Sequence, residues 1–98
     1  MSLRLRIRKA ARGDIAEARR WYESERTGLG QEFIAAVRAA LNRIEREPLQ
    51  FPVVHKELRR LLVSRFPYGI YYLVLEKDIA VVAVTHSKRD PQTWMQRR

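Results

Sequence analysis

The 98-residue sequence contains no cysteine. That excludes a disulfide framework and any thiolate metal site, and it fits a reducing compartment, so a cytoplasmic protein is expected. No apolar run approaches the roughly 18–20 residues needed to cross a bilayer. The opening Met-Ser-Leu-Arg-Leu-Arg-Ile-Arg alternates apolar and basic residues, where a signal peptide needs a continuous apolar stretch. Glycine and proline number four each and are scattered, which leaves no phosphate-binding loop and no low-complexity linker. The two histidines, His55 and His86, stand far apart and outside any metal-ligand spacing, so neither a metal nor a cofactor is expected.

Acidic residues are also scarce. Eleven Asp and Glu face twenty Lys and Arg, a formal charge of +9. Only Lys9, Lys56, Lys77 and Lys88 are lysines; the other cations are arginines, whose forks match phosphate and carboxylate in two-point contacts. Nucleic acid, a ribonucleoprotein or an acidic protein are the partners this charge suits, against the plainer reading of a solubilising surface. The length allows one domain, residues 1–98, with a modest core.

Leu3, Leu5 and Ile7 alternate with Arg4, Arg6 and Arg8, the period of a strand with one buried face. From about Ala11 to Arg26 the spacing turns helical, with Ala11, Ile15, Ala18 and Tyr22 on one stripe and Asp14 expected in the first turn, where a carboxylate suits the helix dipole. Trp21 and Tyr22 are adjacent and cannot both face the core. Thr27-Gly28-Leu29-Gly30 predicts a tight turn. A second helix follows, with Leu29, Phe33, Val37, Ala40, Leu41 and Ile44 on one stripe, stopped at Glu47-Pro48. Residues 48–56 read as a loop. Strands are expected at 58–64, 68–75 and 79–85, the last apolar at nearly every position and therefore central. Asp90-Pro91 can open a short C-terminal helix. The fold class is α+β in the order β-α-α-β-β-β, with a helical hairpin packed on one face of a small, mostly antiparallel sheet. The opposite face is then expected to be free for chemistry or binding.

The candidate site residues are the cations that punctuate the C-terminal half. Lys56, Arg59, Arg60 and Lys88 are candidates for holding an anionic target, with Trp94 as a stacking surface or a hydrophobic anchor. Arg65, placed near the end of its strand, and Arg89, just after the last strand, could gather around His86. Guanidinium groups there would stabilise developing negative charge and the imidazole could move a proton near neutral pH.

These pieces together resemble the RelE/ParE toxin superfamily of bacterial type II toxin–antitoxin systems, often described as plasmid stabilisation proteins. The resemblance covers nearly the whole chain. It is carried by Asp14 through Ala18 with Trp21-Tyr22, Gly28-Leu29-Gly30 leading into Phe33, Ile44 through Pro48, Arg59-Arg60, Arg65 through Tyr72, and His86 through Pro91. RelE-like members cut mRNA on the ribosome with basic residues and a proton-transfer residue. In that case Arg65, His86 and Arg89 are the catalytic set. ParE-like members poison DNA gyrase without a recognised nuclease site. Trp94 stands about where a terminal proton-transferring Tyr would act, and the tail from His86 to Asp90 looks ParE-like, so the resemblance favours gyrase, with the ribosome-dependent endoribonuclease as the alternative and an inactive toxin-fold binding partner as a third. It also implies a cognate acidic antitoxin, a toxin–antitoxin hetero-oligomer and no membrane partner. Trp21, Gly28 and Leu29 are the candidate antitoxin contacts.

Overall fold

A computed structural model describes residues 3–98. The chain runs β1 (Arg4–Ile7), α1 (Lys9–Glu25), α2 (Leu29–Arg46), β2 (Val53–His55), β3 (Leu58–Leu62), β4 (Tyr68–Val74), β5 (Asp78–His86) and α3 (Gln92–Met95). The five strands form one sheet in the order β1-β5-β4-β3-β2, in which β1 alone is parallel to its neighbour β5. The architecture is the expected α+β one, with β2 as an additional edge strand inside the stretch read as a loop. Three residues bounded by Pro52 and by Lys56, whose φ is +50°, leave too little periodicity for sequence reading to find.

The two helices cover one sheet face. Phe33, Val37, Ala40 and Ile44 from α2 and Ala11, Ala18 and Tyr22 from α1 meet Leu61, Ile70, Tyr72, Ile79, Val81 and Val84 from the sheet. Leu3, Leu5 and Ile7 pack against the same cluster, so the arginines between them face the other way. Tyr72 is fully buried, and its hydroxyl donates to the Pro48 carbonyl at 2.6 Å; burial pushes its pKa up to about 12, which keeps the hydroxyl a donor.

The opposite face is less free than the sequence suggests. Leu58, Tyr71, Leu73, Ala80, Val82 and Ala83 form a second cluster there, and Trp94 from α3 closes it. The indole stacks on Tyr71 with ring centroids 4.2 Å apart and planes 16° apart. Asp90 helps to place α3, since its Oδ1 accepts the Gln92 N–H.

The β4–β5 register advances two residues on β5 for one on β4 between the pairs Tyr71–Ala83 and Tyr72–Val81. Val82 is therefore the extra residue of a bulge. The bulge turns the Val82 carbonyl and the Val84 amide toward the edge of β5 that β1 leaves uncovered, since β1 pairing ends at Val81. Asp14 and Arg97 take those two groups. The Asp14 carboxylate accepts the Val84 N–H at 2.9 Å, the Arg97 guanidinium donates to the Val82 carbonyl at 3.3 Å, and the two side chains pair with each other. Asp14 thus lies in the second turn of α1 and serves the sheet edge, whereas the first turn, where it was expected, holds no acidic residue.

Candidate functional site

Where α1 passes the C-terminal end of β5, the surface opens into a groove of about 640 Å³. Its floor is aromatic. Tyr22 is buried against Phe33 and Phe66, and Tyr68 packs on Tyr22, Phe33 and the His86 ring, the last at 5.4 Å between centroids. Trp21 forms one wall. It meets Tyr22 edge-on at 5.1 Å yet remains 56% exposed, because it precedes Tyr22 on the helix and points off the buried stripe. Asp14 and Glu17 line the α1 side, and His86 and Arg89 the strand end. Burial raises the Tyr68 and Tyr22 pKa values; for Tyr68 the neighbouring Tyr22 adds to the rise and the Arg89 charge opposes it. Both phenols therefore act as neutral hydrogen-bonding groups.

His86 and Arg89 are brought together by the turn after β5. The Lys88 N–H donates to His86 Nδ1 at 3.0 Å, and the Arg89 N–H donates to the His86 carbonyl at 2.9 Å. An Nδ1 that accepts leaves the proton of the neutral ring on Nε2. Lys88 is exposed on this turn.

Arg65 does not line the groove. It was expected near the end of its strand, but β3 stops at Leu62 and Arg65 sits in the following turn with φ of +72°. From there its guanidinium reaches α2, pairing with Glu32 at 2.9 Å and lying over the Phe66 ring at 5.6 Å. Glu32 also accepts from Arg26, and the Arg65 contact, then the Arg26 charge, hold its carboxyl below the usual range. The expected gathering of Arg65, Arg89 and His86 therefore reduces to His86 with Arg89.

The remaining candidates divide by what they touch. Arg59, a candidate for holding an anionic target, instead donates to the Phe51 carbonyl at 2.6 Å and the Leu49 carbonyl at 3.2 Å, pinning the segment before β2. Glu57 pairs with Arg98. Arg60 is half-buried on the sheet face away from the helices, opposite Tyr71. Lys56 occupies the β2–β3 turn. Trp94 is only 8% exposed and already stacked, so its ring is an anchor for α3 and offers no free stacking face.

Gly28 ends the turn between the helices and Leu29 opens α2. Gly28 has φ of +91°, a conformation that a Cβ opposes. The Glu23 carboxylate accepts the Gly28 and Gly30 N–H groups, each at 3.0 Å, and these two bonds lower its pKa. Leu29 is half-buried against the main core. Sequence reading passed over Glu23 and Arg97, and gave Asp14 only a helix-dipole role. Asp14 carried a signal in its spacing, since it lies between Ala11 and Ala18 beside the apolar stripe, where a carboxylate needs a partner.

Among the described residues no cluster of potential metal ligands occurs, and no helix is long and apolar enough to cross a membrane.

Residues 5–91 match a family model described as the ParE toxin of the type II toxin-antitoxin system, parDE. No curated protein matches the sequence. Among solved structures the chain resembles one titled "Chromosomal ParDE TA system from P. aeruginosa", with a TM-score of 0.78 and 15% sequence identity over 86% of this chain and 95% of that chain. At that identity the likeness speaks to the fold alone.

Proposed function

The chain belongs to the ParE toxin family of type II toxin–antitoxin systems, and on that premise we propose that it arrests growth by inhibiting DNA gyrase in the cytoplasm and is neutralised by an acidic antitoxin. A cognate ParD antitoxin follows from the family itself; its acidic character is inferred from the +9 charge of this chain.

The observation that carries the choice of gyrase over mRNA is the separation of the cations. A phosphodiester-cleaving site needs its charge-stabilising groups aimed at one developing anion. Here Arg65 is turned to Glu32 on α2, His86 and Arg89 border a groove that also holds two carboxylates, and Trp94, which stands about where the resemblance expects a terminal proton-transferring Tyr, is a buried indole. Binding to a protein target requires no such convergence.

The same groove suits the antitoxin. It is mostly apolar, it is walled by the exposed Trp21, and its charged rim carries both signs. An antitoxin segment that orders on binding can bury apolar side chains against Trp21 and Tyr68 while a carboxylate meets Arg89.

Purified gyrase tests the reading. Added protein is expected to suppress supercoiling, the antitoxin to restore it, and Arg65→Ala to retain most of the effect. Unchanged supercoiling at saturating protein, with new mRNA 5′ ends in a translating extract, would establish the endoribonuclease instead. Trp21→Ala is expected to weaken antitoxin binding at least tenfold, the size of a central aromatic anchor.

A further inference from the structure

The outward side of β1 carries a feature that lies outside the groove. Arg4 and Arg6 are exposed on the strand, and Arg8 continues the row in extended conformation, its N–H donating to the Val81 carbonyl. The intervening Leu5 and Ile7 pack inward. Alternate residues of a strand repeat every ~6.6 Å, so the three Cα atoms span ~13 Å on one side. Arg12 joins from α1. Its Nε donates to the Ile7 carbonyl at 3.1 Å, and it shares with Arg4 and Arg6 the rim of a shallow depression of about 360 Å³. Among the described residues the one carboxylate paired with this row is Asp78, which holds Arg6 at 3.3 Å in a partly solvent-exposed and correspondingly weak contact.

We propose that this row is a binding site for the phosphodiester backbone of a nucleic acid. Guanidinium groups at ~6.6 Å intervals match successive phosphates of one strand, which lie roughly 6–7 Å apart through space although only about 3.4 Å apart along a duplex axis. Each guanidinium presents a fork to phosphate oxygens. An acidic peptide fits less well, because a peptide docks by burying apolar side chains and, among the described residues, the large exposed hydrophobics, Trp21, Leu49, Val53, Leu62 and Leu75, all lie outside β1. The site reads charge and spacing and no base edges, so it confers affinity without sequence preference.

Fluorescence anisotropy on the full chain, with no gyrase, ribosome or antitoxin present, tests the proposal. The probes are a 20-base-pair DNA duplex and a 20-nucleotide single-stranded RNA. Arg4→Gln with Arg8→Gln is compared with Arg20→Gln with Arg46→Gln, which removes the same charge from exposed helix positions. At low salt the β1 pair is expected to weaken binding of the preferred probe at least tenfold. It should also lower the slope of log affinity against log salt by about 1.8 for duplex or about 1.4 for single-stranded RNA, while the helix pair changes affinity less than threefold. The probe that shows this difference identifies the source of the backbone. Equal weakening by both pairs would reduce the effect to net charge, and absence of binding to either probe would dismiss the site. Binding of a poly-glutamate peptide that is lost with the β1 pair, when neither nucleic acid binds, would reassign the row to an acidic protein.

Discussion

At the scale of single residues, the most consequential pair is Asp14 and Arg97. Their separation of 83 positions explains why sequence reading assigned Asp14 to a helix dipole and gave Arg97 no role. Local spacing can reveal that a carboxylate sits beside an apolar stripe, but not which distant cation answers it. The pair satisfies two backbone groups that the Val82 bulge and the short β1 expose. Its members are unequally buried, 10% exposed for the Asp14 side chain and 26% for Arg97. Removing one partner of a fully buried pair costs about 3–5 kcal/mol, and partial solvation of Arg97 reduces that to roughly 2–3 kcal/mol for Asp14→Ala. Asp14→Asn keeps an acceptor for the Val84 amide and should lose about half as much. Urea denaturation of the two variants checks this. Equal losses would mean that charge pairing alone matters and that the sheet-edge hydrogen bond contributes nothing. Arg65 and Trp94 show the same limit of sequence reading from the other side. Their identities were suggestive, but two residues of strand length and one ring-stacking contact decide where their side chains go.

At the scale of elements, periodicity was the reliable guide. The α2 stripe of Phe33, Val37, Ala40 and Ile44 is the buried face of a helix that ends one residue before Glu47-Pro48, and residues 79–85 are all buried in the centre of the sheet. Less legible were the three-residue β2, too short to show a period, and the inter-helix turn, where Gly28 was visible as a breaker but its carboxylate partner was not. Glu23 reaches from the last turns of α1 to accept two amides at the start of α2, which ties the hairpin together. Its carboxyl is held below the ordinary glutamate value, first by the Gly28 bond and then by the Gly30 bond. In the unfolded chain the same group titrates near 4.3, so near that pH the unfolded state binds more protons than the folded state. Stability therefore rises with pH through that range, is fully present above it, and is lost as pH falls through the depressed folded value. Glu32 acts in the same direction through Arg65 and Arg26. Glu23→Gln is expected to lower the melting temperature at pH 7 and to flatten its decline below pH 4.5. Parallel curves for the two proteins would show that the Glu23 charge contributes nothing to the turn.

At the scale of the whole molecule, one sheet serves two cores of unequal size. The helix-side cluster and the Trp94 cluster draw alternate residues from the same strands, with Ile70, Tyr72, Ile79 and Val81 on one side and Tyr71, Leu73, Ala80 and Val82 on the other. Neither cluster can lose its packing without exposing strands that the other depends on. The C-terminal segment reinforces this sharing. Trp94 closes the second face, Arg97 crosses to Asp14 on α1, and Arg98 pairs with Glu57 in the β2–β3 turn. The expected result is a single cooperative transition, even though α3 is only four residues long and could not be helical alone. Trp21→Phe makes Trp94 the sole tryptophan, so its fluorescence reports the α3 face while far-UV circular dichroism reports the helical hairpin. The two urea transitions should coincide in midpoint and slope. An earlier fluorescence transition would mean that α3 detaches from a sheet still held by the hairpin, leaving Tyr71, Leu73 and Ala80 exposed before global unfolding. Coincident curves would place the second face among the parts that hold the fold together, which is the role its burial and its ion-paired tail require.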